Sequence, residues 1–149
     1  MAQLSHSEQC PHCGRYQNRP CVVDAVIFNT AGEVLLIKRG RDPEKGKFAL
    51  PGGFIDWDES AAEAVVREVK EETDLDVKVV SFSGYYDDIQ RDIKRRTISL
   101  VFLCETTSST QATAGDDAVD HGWFSVDKLP DIAFDHIQII NDALKKEGI

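Results

Sequence analysis

Carboxylates crowd one short stretch of the chain, residues 53–75, which reads Gly-Phe-Ile-Asp-Trp-Asp-Glu-Ser-Ala-Ala-Glu-Ala-Val-Val-Arg-Glu-Val-Lys-Glu-Glu-Thr-Asp-Leu. At about 100° per residue in a helix, Glu68, Glu71 and Glu72 share an arc of roughly 100°, bordering a second arc of Ala62, Val65, Val66 and Val69. The acids therefore line the edge of the face the helix buries. Like charges at i,i+4, here Glu68 and Glu72, cost a helix about 0.2 to 0.5 kcal/mol per pair, so this edge needs a neutralising partner. A hard divalent cation fits, because Mg²⁺ and Mn²⁺ prefer oxygen ligands and bridge carboxylates to substrate phosphates. The competing reading is a solvated acidic face, with Glu63 to Arg67 and Arg67 to Glu71 as i,i+4 ion pairs.

The elements that must hold these acids are legible on both sides. Ser60 followed by Glu63 is a capping box, which predicts a helix over about 60–73. Residues 47–50 read as a short strand running into Pro51-Gly52-Gly53, where two glycines permit close approach of backbone to a metal, with the Gly53 carbonyl as a candidate ligand. Upstream, residues 21–28 and 33–38 read as strands of a β-hairpin turning at 29–32, and 40–46 as a loop. Downstream, 77–83 and 97–105 are β-rich, the second continuous enough to be a central strand, and 123–126 is a last short strand. Asp135 is placed to cap a final helix to about Lys146, with Ile137, Ile140 and Leu144 on its apolar face. Strands interleaved with two helices predict an α/β sandwich around a mixed sheet.

The acidic stretch resembles the box of the Nudix family: Gly, five residues, Glu, seven residues, Arg-Glu, an aliphatic residue, any residue, Glu-Glu, any residue, Gly and an aliphatic residue. Gly53, Glu59, Arg67, Glu68, Val69, Glu71, Glu72 and Leu75 fit it; Asp74 stands in place of the last glycine. That position follows the helix, where left-handed geometry is usual and Asp tolerates it better than most residues. The resemblance implies a Nudix-type α/β/α sandwich and a divalent-metal pyrophosphohydrolase. In the family pattern Glu68, Glu71 and Glu72 hold Mg²⁺ or Mn²⁺, Arg67 orients the glutamates, and the general base is Glu72, Glu68 or a loop acid.

Three further segments are similar to prokaryotic ADP-ribose pyrophosphatases of the same family. Tyr86 to Thr97, with Arg91, Lys94, Arg95 and Arg96, matches a substrate loop and makes a local anion attractor in an acidic chain. Asp116 and Asp117 match a loop that brings further acid towards the metals, their plain alternative being a turn. Residues 129–136 match the C-terminal part; His136 reads as a helix-start residue without a catalytic task. The resemblance implies ADP-ribose hydrolysis, with NADH or an oxidised nucleoside triphosphate as alternative substrates and a non-catalytic nucleotide-sugar sensor as the alternative of another class. Base stacking on Trp57, Tyr85, Tyr86 or Phe28 is a further option.

Length, charge and cysteines bound the rest. The 149 residues suit one domain, 21–149, behind an N-terminal segment, 1–20. A net charge of -9 opposes binding to a nucleic acid polymer, no apolar run approaches a membrane span, and the first ten residues are too polar for a signal peptide. A cytoplasmic protein acting on a small nucleoside diphosphate derivative is expected, and many relatives form homodimers. Cys10-Pro-His-Cys13-Gly resembles the last knuckle of the zinc ribbon that precedes the domain in NADH pyrophosphatases, with Cys10, His12, Cys13 and Cys21 as candidate Zn²⁺ ligands. An unmetallated remnant or a reducible thiol pair is the alternative there. Cys104 reads as a buried thiol in a strand.

Overall fold

The computed structural model describes residues 9–107 and 121–148, so Asp116 and Asp117 lie outside the described residues. In chain order the elements are β1 (Cys21–Ile27), β2 (Val34–Lys38), β3 (Phe48–Ala49), β4 (Gly52–Phe54), α1 (Ala61–Thr73), β5 (Val77–Tyr86), β6 (Ile98–Thr106), β7 (His121–Phe124) and α2 (His136–Glu147). Four strands form a mixed sheet in the order β4-β1-β6-β5, with β1 parallel to β6 and antiparallel to β4. A three-stranded antiparallel sheet runs β3-β2-β7.

Strand β1 is the axis of the molecule, and its side chains alternate between two cores. Val23, Ala25 and Ile27 pack with Val65 and Val69 of α1, whereas Val26 packs with Leu36, Ile139 and Ile140 on the α2 side. A strand covered on both faces reads as a near-continuous apolar run, and only Asp24 interrupts this one. Burying each of the Val, Leu and Ile side chains among these contributes about 1.5 to 3 kcal/mol.

The predicted hairpin is corrected by this topology. Asn29 closes the turn, its N–H donating to the Glu33 carbonyl at 2.9 Å and its Oδ1 accepting from Ala31 and Glu33. Beyond the single bridge from Phe28 to Val34, however, the strands part into different sheets. Both ladder edges of β1 are taken, by β4 and β6, so β2 has nowhere to pair with it.

Helix α1 begins as the sequence predicts. Ser60 Oγ accepts from the Glu63 N–H and Glu63 Oε1 from the Ser60 N–H, and Asp74 takes the left-handed conformation, φ 59° and ψ 15°. Its buried face is Ala64, Val65, Val69 and Thr73, while Ala62 is exposed. Helix α2 departs further. Its buried residues are His136, Ile139, Ile140 and Ala143, and Ile137 is exposed. Asp135 makes no side-chain cap, because Arg91 takes both of its carboxylate oxygens.

Candidate active site

Helix α1 brings its acidic edge against β4, and two glycines set the distance. A Cβ on Gly53 would stand 2.5 Å from the Glu68 carboxylate carbon, so strand and acid meet because no side chain intervenes. The Gly52 N–H donates to Glu72 Oε1 at 2.9 Å, while Glu71 is exposed. Arg67 ties the group together. Its Nε and Nη2 grip Glu59, Nη2 also reaches the Phe54 carbonyl at 3.0 Å, and Nη1 donates to Glu68 at 3.0 Å and Glu71 at 3.2 Å. A planar fork of five donors can serve three carboxylates and a carbonyl together; an ammonium cannot.

The charges are far from evenly balanced. Burial pushes the Glu72 carboxyl up to about 8; the Gly52 hydrogen bond opposes this, and the nearby charges of Glu68, Asp24 and Glu71 add to it. Glu68 is raised by burial too, against the pull of Arg67. Glu59 goes the other way, held down to about 2 chiefly by its hydrogen bonds from Arg67. A group depressed in the fold contributes stability above the unfolded carboxylate range and loses it as the pH falls towards about 2. Urea midpoints followed from pH 5 to pH 2 should therefore fall more steeply for the wild type than for Glu59→Gln.

These acids form part of the wall of a cleft of about 660 Å³ that Lys38, Arg39, Arg41 and Arg95 also line. Arg39 lies 4.9 Å from the centre of the Phe134 ring, and burial, then the charge of Arg95, lowers its pKa. Arg95 lies over Phe54 and 3.3 Å from Asp92. Arg91 also borders the cleft, but its guanidinium is buried and engaged with Asp135 and Thr97. Lys94 and Arg96 are not among the lining residues, and the Arg96 carbonyl accepts from Arg19. Tyr86 donates to Asp142 and lines a separate hollow with Phe82 and Lys146, and Trp57 is fully exposed.

Beyond Lys38, Arg39 and Arg41, which the sequence reading of the site does not name, two buried cleft residues escape it as well. Asp24 is buried, accepts a hydrogen bond from Ser99 Oγ, and is raised in pKa by that burial. His136 Nε2 lies 3.8 Å from Asp24 Oδ2, while Nδ1 accepts from the Leu50 N–H at 3.0 Å. Because Nδ1 accepts, the ring carries its proton on Nε2, facing Asp24, and burial lowers the His136 pKa. An Asp inside an apolar strand was the available signal for the first; nothing local marks the second.

The donor set suits a hard divalent ion: three carboxylates, two of them penalised by burial when charged, with one of these, Glu68, set directly against the Gly53 backbone. Among the described residues no three His, Cys, Asp or Glu side chains are grouped as a ready metal cage. That holds for the cysteines as well. Cys10 and Cys13 share a tight turn, closed by the Gly14 N–H on the Cys10 carbonyl at 2.8 Å, and the amides of Cys13 and then His12 lower the Cys10 pKa. Cys21 is exposed at the start of β1, and Cys104 is buried as expected.

A family model described as NUDIX domain matches residues 18–143. An ADP-ribose pyrophosphatase of Methanocaldococcus jannaschii is 44% identical over 126 residues, which cover 85% of this chain and 74% of that protein. The NUDIX domain of Shewanella oneidensis NrtR, solved with ADP ribose, superposes with a TM-score of 0.73 at 29% identity, over 89% of this chain and 90% of that one. A bifunctional NMN adenylyltransferase/ADP ribose pyrophosphatase of Francisella tularensis, solved with AMP and a manganese ion, gives 0.70 at 30% identity, over 89% of this chain and 42% of that one.

Proposed function

The chain belongs to the NUDIX domain family, and on that footing we propose that it splits ADP-ribose into AMP and ribose 5-phosphate, using Mg²⁺ or Mn²⁺. The observation that carries the reaction type is the carboxylate set in the wall of a cleft, Glu68 and Glu71 joined by one Arg67 fork and Glu72 held beside them by the Gly52 N–H, with Arg39, Arg41 and Arg95 lining the same cleft. The named activity of the Methanocaldococcus relative supports the choice of substrate.

Glu68, Glu71 and Glu72, with the Gly53 carbonyl as a further donor, would hold the divalent ion, which when bound would supply charge to polarise phosphoryl oxygens and acidify water. The protein does the rest. Arg67 fixes the Glu68 and Glu71 carboxylates, the task of a group behind a metal ligand. The general base is Glu72, Glu68 or one of the loop acids Asp116 and Asp117, the last two lying outside the described residues. Arg39, Arg41 and Arg95 present planar donors to a pyrophosphate. Water adds to one phosphorus, the anhydride oxygen leaves with the other, and the two products carry one phosphate each.

Incubation with Mg²⁺ and ADP-ribose, followed by chromatography, should yield AMP and ribose 5-phosphate in equal amounts. Preferential cleavage of NADH or of an oxidised nucleoside triphosphate would overturn the substrate assignment. Tight ADP-ribose binding without AMP would make the protein a sensor. Zinc on Cys10 and Cys13 would require two more ligands that the described residues do not group with them.

Metal binding should also depend on pH. Glu72 must lose its proton to become a ligand, so Mg²⁺ affinity should climb as the pH rises towards about 8 and level off above it. Calorimetry at pH 7 in buffers of different ionisation enthalpy should show release of about one proton per ion bound. Binding without proton release would remove Glu72 from the ligand set.

A further inference from the structure

His136 has no place in the reaction as derived so far, yet it is buried beside the cleft with both ring nitrogens aimed at specific groups. We infer that His136 is a positioning residue, which fixes from α2 the turn that presents Gly52 to Glu72 and Gly53 to Glu68. The inference rests on the metal-site reading given above.

The connection is short and continuous. His136 Nδ1 accepts the Leu50 N–H at 3.0 Å, where the chain leaves β3. Two residues on, the Gly52 N–H meets Glu72 Oε1, and between them the Pro51 carbonyl accepts from the Ala25 N–H at 2.8 Å. The turn is thus pinned at Leu50 by α2, at Pro51 by β1 and at Gly52 by α1. Removing the first pin leaves a buried N–H unpaired and frees the segment whose height sets both acids. The other ring nitrogen explains why the imidazole stays put: Nε2 faces Asp24, which Ser99 holds from behind and which pairs in register with Gly52 across β1 and β4. The approach to α2 is itself anchored, since Phe48 and the 131–133 segment exchange hydrogen bonds of 2.8 and 2.9 Å. Helix α2 therefore delivers the ring to Leu50 at a fixed height.

The test compares His136→Phe, which keeps the bulk and loses both nitrogens, with His136→Asn, whose Oδ1 can stand where Nδ1 accepts. Mn²⁺ affinity of the metal-free protein, hydrogen exchange of the Gly52 amide, and kcat and KM for ADP-ribose are measured for each. His136→Phe should bind Mn²⁺ roughly tenfold more weakly, exchange the Gly52 proton faster and lose kcat with KM little changed, and His136→Asn should recover most of each. Should the phenylalanine variant not fold, His136→Gln, whose carbonyl lies one atom too far along, replaces it in the same comparison. Wild-type Mn²⁺ affinity in the folded Phe or Gln variant overturns the proposal, as does an Asn variant no better than either. Glu72→Gln is the control for the underlying reading: if it too binds Mn²⁺ and turns over normally, the metal site itself has been misplaced.

Discussion

Glu72→Gln is expected to cut turnover of ADP-ribose by roughly a hundredfold or more while the protein stays folded. The substitution is nearly isosteric, and the amide oxygen can still accept the Gly52 N–H that meets Oε1 in the wild type. What it removes is the negative charge and the capacity to take a proton. Loss of fold can be separated from loss of chemistry because the two should move in opposite directions. Burial raises the Glu72 pKa to about 8, so the folded state disfavours its ionised form. The wild type, metal-free, therefore bears a cost that appears above the unfolded carboxylate range and grows until the pH passes about 8. The glutamine variant escapes that cost. Its melting temperature should match the wild type at pH 4 and exceed it at pH 8, with no Mg²⁺ present. Added Mg²⁺ should stabilise the wild type far more than the variant, because an ion that binds only the native state raises its stability by mass action. Near-normal kcat in both Glu72→Gln and Glu71→Gln would sink the assignment of these acids to the metal.

The acidic edge of α1 was readable in advance because everything that specifies it is local. Helical periodicity places Glu68, Glu71 and Glu72 together, Ser60 and Glu63 mark the start, and Asp74 closes the helix in the left-handed conformation its side chain tolerates. Arg67 follows the same logic in reaching Glu71 one turn on, but its main grip, on Glu59 eight residues back, is one that helical spacing does not indicate. Where pairing is decided far along the chain, local reading fails. Asp135 has the composition of a helix cap, but Arg91, 44 residues away, outcompetes the backbone for its carboxylate. That contact also occupies Arg91 at the cleft wall, leaving Arg95, paired with Asp92, as the more exposed basic residue of 91–96 that lines the cleft with Arg39 and Arg41. The slip of one position in the buried face of α2 has the same origin. His136 is drawn inwards by Leu50 and Asp24, partners on β3's end and β1 that no helical wheel contains.

The pair Gly52 and Gly53 should show, by one methyl group at adjacent positions, how the fold and the chemistry are divided. Neither glycine has the positive φ that would itself explain its use, so at both positions the requirement is for space alone. A Cβ on Gly52 would lie 2.0 Å from the Val23 carbonyl oxygen and 3.0 Å from the Asp24 Cα, both main-chain atoms of the central strand. Main chain cannot swing aside, so Gly52→Ala must push β4 off β1 and lose stability, by about 1 to 3 kcal/mol or more on the scale of overpacked cores. A Cβ on Gly53 meets only the Glu68 carboxylate, at 2.5 to 2.7 Å. That is the far end of a side chain with three torsions, and it can move. Gly53→Ala should therefore melt close to the wild type while its turnover falls about a hundredfold, since a displacement near 1 Å in a positioning group is enough for that. Thermal melts and kcat for the two alanine variants, measured side by side, decide it. Equal losses of stability would mean that Glu68 is held as rigidly as the strand; unchanged turnover in Gly53→Ala would mean that the location of the Glu68 carboxylate does not govern the reaction.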